Sequence, residues 1–174
     1  MVCTMRPYFQ GALDGLCAIY SIVNATRIVT GINEEASREL FSRIIVYLER
    51  TSELSTVLTE GIGLQKIGGI LRDVVGDRIR HRRMPFKHHP EVALDEFWQA
   101  MARFLDGGAN RAILIELGGP AWDHWTIVHS ITAKQIRFFD SHKLRRLDRH
   151  RCTTTTATSL RPHILCPTHT YSLS

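Results

Sequence analysis

The feature that most constrains how this chain folds is a change in hydrophobic period near Arg111. Before this residue, apolar side chains recur at the three- and four-residue spacing of amphipathic helices. After it, they form short continuous or alternating runs, which are typical of strands. Helices followed by strands predict an α+β fold, in which a helical N-terminal half packs against an antiparallel sheet formed by the C-terminal half.

The same pattern predicts the individual elements. Gly31 and Asn33 are expected to cap the first two helices, and Pro90 is expected in the first turn of the last helix. The predicted helices cover residues 16–29, 34–50, 64–75 and 90–106, and the predicted strands cover residues 112–117, 124–131, 135–140 and 163–166. The threonine-rich segment 152–158 is expected to form a loop or an edge strand.

Cys17 lies where a glycine-containing loop, residues 9–15, enters the first predicted helix. The amides in the first turn of a helix have no intrahelical partner, and the helix dipole places roughly half a positive charge there. That field favours a thiolate, so Cys17 is expected to be the most reactive cysteine of the chain. A cysteine between Leu16 and Ala18 also suits a buried core position, and this segment alone leaves both interpretations open.

A second segment carries the residues that would activate such a thiol. His124 begins one predicted strand and Asp140 ends the next, and a tight turn over residues 132–134 would bring them side by side. The carboxylate would bind one imidazole nitrogen and leave the other for a nucleophile. Asp123 is the rival partner, but consecutive strand residues point to opposite faces, which favours Asp140 and directs Trp125 into the core.

Together these two segments resemble the papain-like cysteine peptidases in their small forms. The resemblance is closest to the C39-like peptidases and, in the Leu-Cys-Ala and His-Trp-Thr-Ile-Val pieces, to the Josephin domains. It is carried by Gln10, the loop 14–18, Asn24, the pair His124-Trp125, and the pair Asp140-Ser141. These motifs cover about a quarter of the chain and support a match at the level of the superfamily.

The resemblance implies a papain-like fold and a thiol hydrolase that cleaves a peptide or isopeptide bond of a protein or peptide substrate. Cys17 would be the nucleophile, His124 the base and Asp140 the residue that orients the base. Gln10 and the Cys17 amide would stabilise the oxyanion. Such an enzyme needs no cofactor and no metal ion, and the cysteine and histidine spacings here show no metal-binding motif.

Three alternatives stay open at this point. A glutamine deamidase and an acyltransferase use the same triad, because both reactions pass through the same thioester. A binding module could keep the fold without the chemistry and act through basic surface patches. The sequence does not choose among these functions.

The length and composition set broader limits. The 174 residues suit one domain, so residues 1–174 are expected to form a single papain-like unit. The four cysteines, Cys3, Cys17, Cys152 and Cys166, have no paired spacing, which fits a reducing cytoplasm. The N-terminus lacks an export signal and no segment is apolar enough to span a membrane, although delivery by a secretion system that needs no signal is compatible with this.

The formal net charge is +5, and much of the positive charge lies in two clusters, residues 78–89 and 143–151. Each cluster is either a solvated surface or a site for an acidic partner. Aromatic residues do not interleave with these charges, which disfavours a stacking groove for single-stranded nucleic acid. A nucleic-acid partner is therefore a minor alternative.

Overall fold

A computed structural model describes residues 5–120 and 123–174 of the chain, so Cys3 lies outside the described residues. The α-helices in this part of the chain are α1 (Cys17–Thr30), α2 (Glu34–Thr51), α3 (Leu54–Glu60), α4 (Leu64–Ile70) and α5 (Leu94–Asp106). A π-helical segment, Leu71–Val75, continues α4, and two short 3₁₀ segments occupy Gly76–Arg78 and Arg149–Arg151. None of the described helices is both long and apolar enough to cross a membrane.

The strands of the described residues form one open sheet. They are β1 (His81–Arg83), β2 (Ala112–Gly118), β3 (His124–Ile131), β4 (Gln135–Phe138), β5 (Arg146–Asp148), β6 (Cys152–Thr153) and β7 (His163–Leu173). Their order is β1-β7-β2-β3-β4-β5, with β6 beside the start of β7. All neighbours pair antiparallel except β6 and β7, which are parallel. The fold is therefore α+β, as the change of period predicts.

Helices cover both faces of the sheet. The first face packs against α1, α2 and α4 in a core that includes Ile19, Leu40 and Leu114. The second face packs against α5 in a core that includes Phe97 and Ile113. Because successive residues of β2 enter opposite cores, this strand reads as a continuous apolar run rather than an alternating one.

The capping residues that define α1 and α2 are confirmed. Asn33 accepts a hydrogen bond from the Ala36 amide at 2.9 Å, and so caps the start of α2. Gly31 ends α1 in the left-handed region, with φ of 70°, and its amide donates to the Arg27 carbonyl. The predicted hairpin turn also forms, since the Thr132 amide donates to the Gln135 carbonyl at 2.8 Å.

Several predicted boundaries are wrong. The last helix begins at Leu94 because residues 86–92 form hydrogen-bonded turns rather than a first helical turn. The helix predicted over 64–75 widens into a π-helix after Ile70. The final strand does not stop at residue 166, because its second half lies between β1 and β2 and pairs with both. The segment that forms α3 was not predicted as a helix.

The two basic clusters contain the edge strands of the sheet, which the hydrophobic pattern did not indicate. β1 lies within residues 78–89 and forms one edge, and β5 lies within residues 143–151 and forms the other. Charged side chains on an edge strand oppose pairing with a second sheet. The two clusters therefore occupy opposite ends of the sheet and do not form one continuous patch.

Candidate active site

Cys17 is the first residue of α1 and is half-buried. Leu16 precedes the helix and provides no capping side chain, so the first-turn amides keep their positive field. Asp14 holds the loop before the helix, because one carboxylate oxygen accepts from the Gly11 amide at 2.7 Å and the other from the Leu16 amide at 3.1 Å. This loop fixes the direction in which the chain enters α1.

A close backbone contact sets the loop against the end of α3. The Gly15 amide donates to the Leu58 carbonyl at 2.7 Å. A Cβ atom on Gly15 would lie 2.6 Å from the Gly61 amide nitrogen, and Gly61 has a φ of 79°. Both positions therefore require glycine, one for space and the other for its backbone conformation.

The structure brings the three predicted triad residues together. Nε2 of His124 lies 2.6 Å from Oδ1 of Asp140, and the Cys17 thiol is hydrogen-bonded to the His124 side chain. The His124 side chain is 7% exposed and the Asp140 side chain is fully buried. Hydrogen bonds between such groups are strengthened because water is excluded from them.

The surroundings of His124 raise its pKa from 6.5 to about 9. Burial alone lowers this pKa, because it disfavours the charged ring. The hydrogen bonds to Asp140 and Cys17 and the charges on those two groups outweigh burial. The ring is therefore protonated at neutral pH.

The Asp140 carboxylate is held in its ionised form. Burial raises the pKa of Asp140, but the hydrogen bond to His124 and the charge of His124 lower it by a larger amount. The net pKa therefore lies below the ordinary value of an aspartate. The second oxygen accepts from the His142 amide at 2.7 Å and the Leu144 amide at 2.9 Å. These amides also fix the direction of the carboxylate toward the ring.

Gln10 lies beside the triad and connects its two halves. Its Nε2 donates to the Asp14 carbonyl at 3.3 Å, and its Oε1 accepts from the Ser141 hydroxyl at 2.9 Å. The backbone amide of Gln10 also donates to the Ser141 carbonyl at 3.1 Å. Gln10 therefore joins the loop before Cys17 to the residue that follows Asp140.

Two buried residues of α1 position these groups, and the sequence did not identify their contacts. The Ser21 hydroxyl donates to the Trp125 carbonyl at 2.9 Å, which attaches α1 to the strand that begins with His124. Asn24 accepts from the Tyr8 amide at 2.8 Å and donates to the Tyr8 carbonyl at 3.1 Å, which holds the segment leading to Gln10. The only available signal was their polarity on an otherwise apolar helix.

The neighbours of His124 occupy the places that the sequence predicts, although Asp123 and Asp140 lie just outside the strands. Trp125 is 4% exposed and packs in the core beneath α1. Asp140, not Asp123, binds the His124 ring. The exposed Asp123 lies near Glu116 and Cys166, whose pKa values are raised mainly by burial and further by the charge of Asp123.

No protein-family model matches this chain, and no curated protein matches it either. The chemistry of the site therefore has to be inferred from its own geometry. Within residues 5–120 and 123–174, no group of three or more His, Cys, Asp and Glu side chains is arranged to hold a metal ion.

Two open grooves meet near the site at Phe9. One has a volume of about 540 Å³ and is lined by aromatic residues that include Tyr8, Tyr20 and Phe41. The other has a volume of about 610 Å³ and contains Asp140 in its lining. Phe9 is 48% exposed and lines both grooves, so apolar surface is available next to the triad.

Proposed function

We propose that this protein is a papain-like thiol hydrolase that cleaves a peptide or isopeptide bond through an acyl-enzyme. The observation that supports this proposal is the hydrogen-bonded series from the Cys17 thiol through His124 to the buried Asp140. A cysteine that only filled the core would need no protonated imidazole beside it. Nucleophile, base and orienting carboxylate occur in the order that the resemblance to papain-like enzymes implies.

The first step is formation of the nucleophile. Because Nε2 of His124 is bound to Asp140, Nδ1 is the nitrogen that takes the proton of the Cys17 thiol. The raised pKa of His124 favours retention of that proton on the ring at neutral pH. The thiolate then attacks the substrate carbonyl carbon, and a C–S bond forms while the carbonyl becomes an oxyanion.

The oxyanion needs hydrogen-bond donors at the position where its charge develops. The Cys17 amide belongs to the first turn of α1 and has no intrahelical partner. Gln10 uses one N–H of its side-chain amide on the Asp14 carbonyl, which leaves the second for the oxyanion. One such donor contributes roughly 3 to 4 kcal/mol in comparable sites.

Collapse of the tetrahedral intermediate breaks the C–N bond, and the His124 imidazolium gives its proton to the leaving amine. The neutral ring then removes a proton from water, and the resulting hydroxide attacks the thioester. When the C–S bond breaks, the thiolate leaves and the free carboxylic acid is released. Asp140 stays ionised throughout and keeps the ring in the orientation that serves both proton transfers.

The proposal is tested by incubating the protein with denatured casein and mapping new amino termini by mass spectrometry. New termini formed by the wild type and not by Cys17→Ser support a peptidase. Conversion of glutamine to glutamate without new termini would replace it by a deamidase. The catalytic assignment would be overturned if neither product forms and Cys17 is alkylated no faster than an ordinary thiol. That result would favour a binding module.

We also propose that the enzyme works in a reducing compartment such as the cytoplasm. The described cysteines, Cys17, Cys152 and Cys166, are all free thiols. A nucleophilic thiol is lost when it is oxidised to a disulfide or sulfenic acid, so such an environment preserves activity.

A further inference from the structure

A groove of about 520 Å³ lies between β1 and α5, near one edge of the sheet. Arg80 and Arg82 form one wall, Ser172 of β7 forms part of the floor, and Arg103 and Phe104 of α5 form the opposite wall. The α1 helix with Cys17 packs on the other face of the sheet. The groove is therefore separate from the candidate active site.

The charge of this groove is unbalanced. None of its described lining residues carries a carboxylate side chain, and within the described part of the chain Arg80, Arg82 and Arg103 form no ion pair. By contrast, Arg149 at the other edge of the sheet is paired with Asp95 at 2.5 Å. Arg83 also lines the groove, but its guanidinium donates to the Thr168 carbonyl. The other three guanidinium groups have no carboxylate partner, and together they favour an anionic occupant.

The backbone fixes the spacing of these charges. Arg80 exchanges two backbone hydrogen bonds with Ser174, at 2.8 and 2.9 Å, and Arg82 lies opposite Ser172 in the β1–β7 ladder. Arg80 and Arg82 therefore lie on the same face, about 7 Å apart along the chain. An extended peptide presents alternate side chains at the same interval, so acidic residues at every second position match this wall.

Other anionic partners fit the groove less well. The ring of Phe104 lies under the Arg111 guanidinium, at 5.1 Å from its centroid, so that face is not open for stacking with a base. Met84 and Ala100 add apolar contact that suits the small side chains of a peptide.

We propose that the β1–α5 groove binds an acidic, extended segment of a protein partner. Its carboxylates contact Arg80, Arg82 and Arg103, and the residues between them lie over the apolar part of the wall. This docking site works independently of the chemistry at Cys17.

The experiment measures the binding of a fluorescein-labelled peptide of alternating glutamate and threonine by anisotropy at low and high salt. The test protein carries Arg82→Glu with Arg103→Glu. The control carries Arg137→Glu with Arg146→Glu, two exposed cross-strand partners at the opposite edge of the sheet, so the change of net charge is identical. We expect the groove variant to bind roughly tenfold or more weakly, and the control to bind as the wild type does.

Equal weakening in both variants would overturn the proposal, because net charge alone would then explain the binding. Failure of the wild type to bind the peptide would also overturn it. The proposal would also be overturned if a uridine oligonucleotide or phosphatidylserine vesicles bind more tightly than the peptide and this binding is lost in the groove variant. Arg82→Gln with Arg103→Gln, checked by circular dichroism, provides a milder variant if charge reversal prevents folding.

Discussion

Cys17 and Cys166 are both half-buried free thiols, but their surroundings differ in charge. Cys17 begins a helix and is hydrogen-bonded to a protonated histidine. Cys166 lies within β7 near Glu116 and Asp123, and burial together with these carboxylates raises its pKa to about 12. These two half-buried thiols therefore have different neighbours, a histidine in one case and carboxylates in the other.

The comparison shows that burial and nearby carboxylates together disfavour the thiolate of Cys166. At pH 7 a thiol with a pKa of about 12 has a thiolate fraction on the order of 10⁻⁵. The pKa of Cys152 is raised similarly, to about 12, by burial and by the charge of Asp148. Cys17 has the His124 side chain as its hydrogen-bond partner instead of a nearby carboxylate.

The largest expected effect comes from removing one or the other sulfur. We expect Cys17→Ser to lower the acylation rate by roughly 10⁴- to 10⁶-fold, because the triad loses its nucleophile. Cys166→Ser should leave the rate near that of the wild type. Release of p-nitrophenol from a peptidyl p-nitrophenyl ester measures acylation directly. A loss of rate in Cys166→Ser, with Cys17→Ser unaffected, would reverse the comparison.

The next effect separates the two carboxylates near His124. Asp140→Ala should reduce acylation by roughly 10²- to 10⁴-fold, because the ring loses the group that orients it and stabilises its charge. Asp123→Ala should retain nearly full rate, since Asp123 does not bind the ring. The same ester assay applies, with circular dichroism to confirm folding. The opposite pattern would mean that the hairpin brings the wrong carboxylate to the site.

A third prediction concerns stability and pH. The pKa of His124 is raised on folding, so the native state holds the proton more tightly than the unfolded chain does. The stability from this proton is complete below about pH 6.5 and is lost as pH rises through about 9. A rise of the His124 pKa from 6.5 to about 9 corresponds to a contribution of roughly 3 kcal/mol at most to the free energy of unfolding.

Urea unfolding of the wild type and His124→Gln at pH 6 and pH 10 measures this contribution. We expect the difference in unfolding free energy between the two proteins to shrink at the higher pH. The acylation rate should fall over the same range above pH 9, as the imidazolium loses its proton. A difference that stays constant with pH would show that no proton is held by this pair.

The smallest expected effect is on the alkylation rate of Cys166 when the carboxylates near it are removed. Glu116→Gln with Asp123→Asn removes the two negative charges near Cys166, and we expect its alkylation by iodoacetamide to accelerate by roughly tenfold. Burial is the larger cause of its raised pKa, so Cys17 should still react faster. Peptide mapping after a short exposure measures both sites. No change at Cys166 would mean that burial alone controls its reactivity.

Much of the local structure around the site could be predicted from the sequence. The start of α1 at Cys17, its end at Gly31 and the hairpin that carries His124 depend on residues close together in the chain. Strand alternation predicted the choice of Asp140 over Asp123, but the second strand ends at Phe138 rather than at Asp140, and Asp123 precedes β3. The loop after β4, whose amides bind the Asp140 carboxylate, therefore also directs this side chain. Edge strands such as β1 and β5 are short and charged, so the hydrophobic pattern did not reveal them.

The sequence by itself determined where a nucleophile, a base and a carboxylate could be presented, because helix starts and hairpin turns depend on neighbouring residues. The tertiary structure alone decided that these groups meet. The bonds from Ser21 to Trp125 and from Gln10 to Ser141 join segments separated by 104 and 131 positions. Such contacts leave no local pattern in the sequence. They form only when α1 packs on the sheet and the apolar surfaces of both are removed from water.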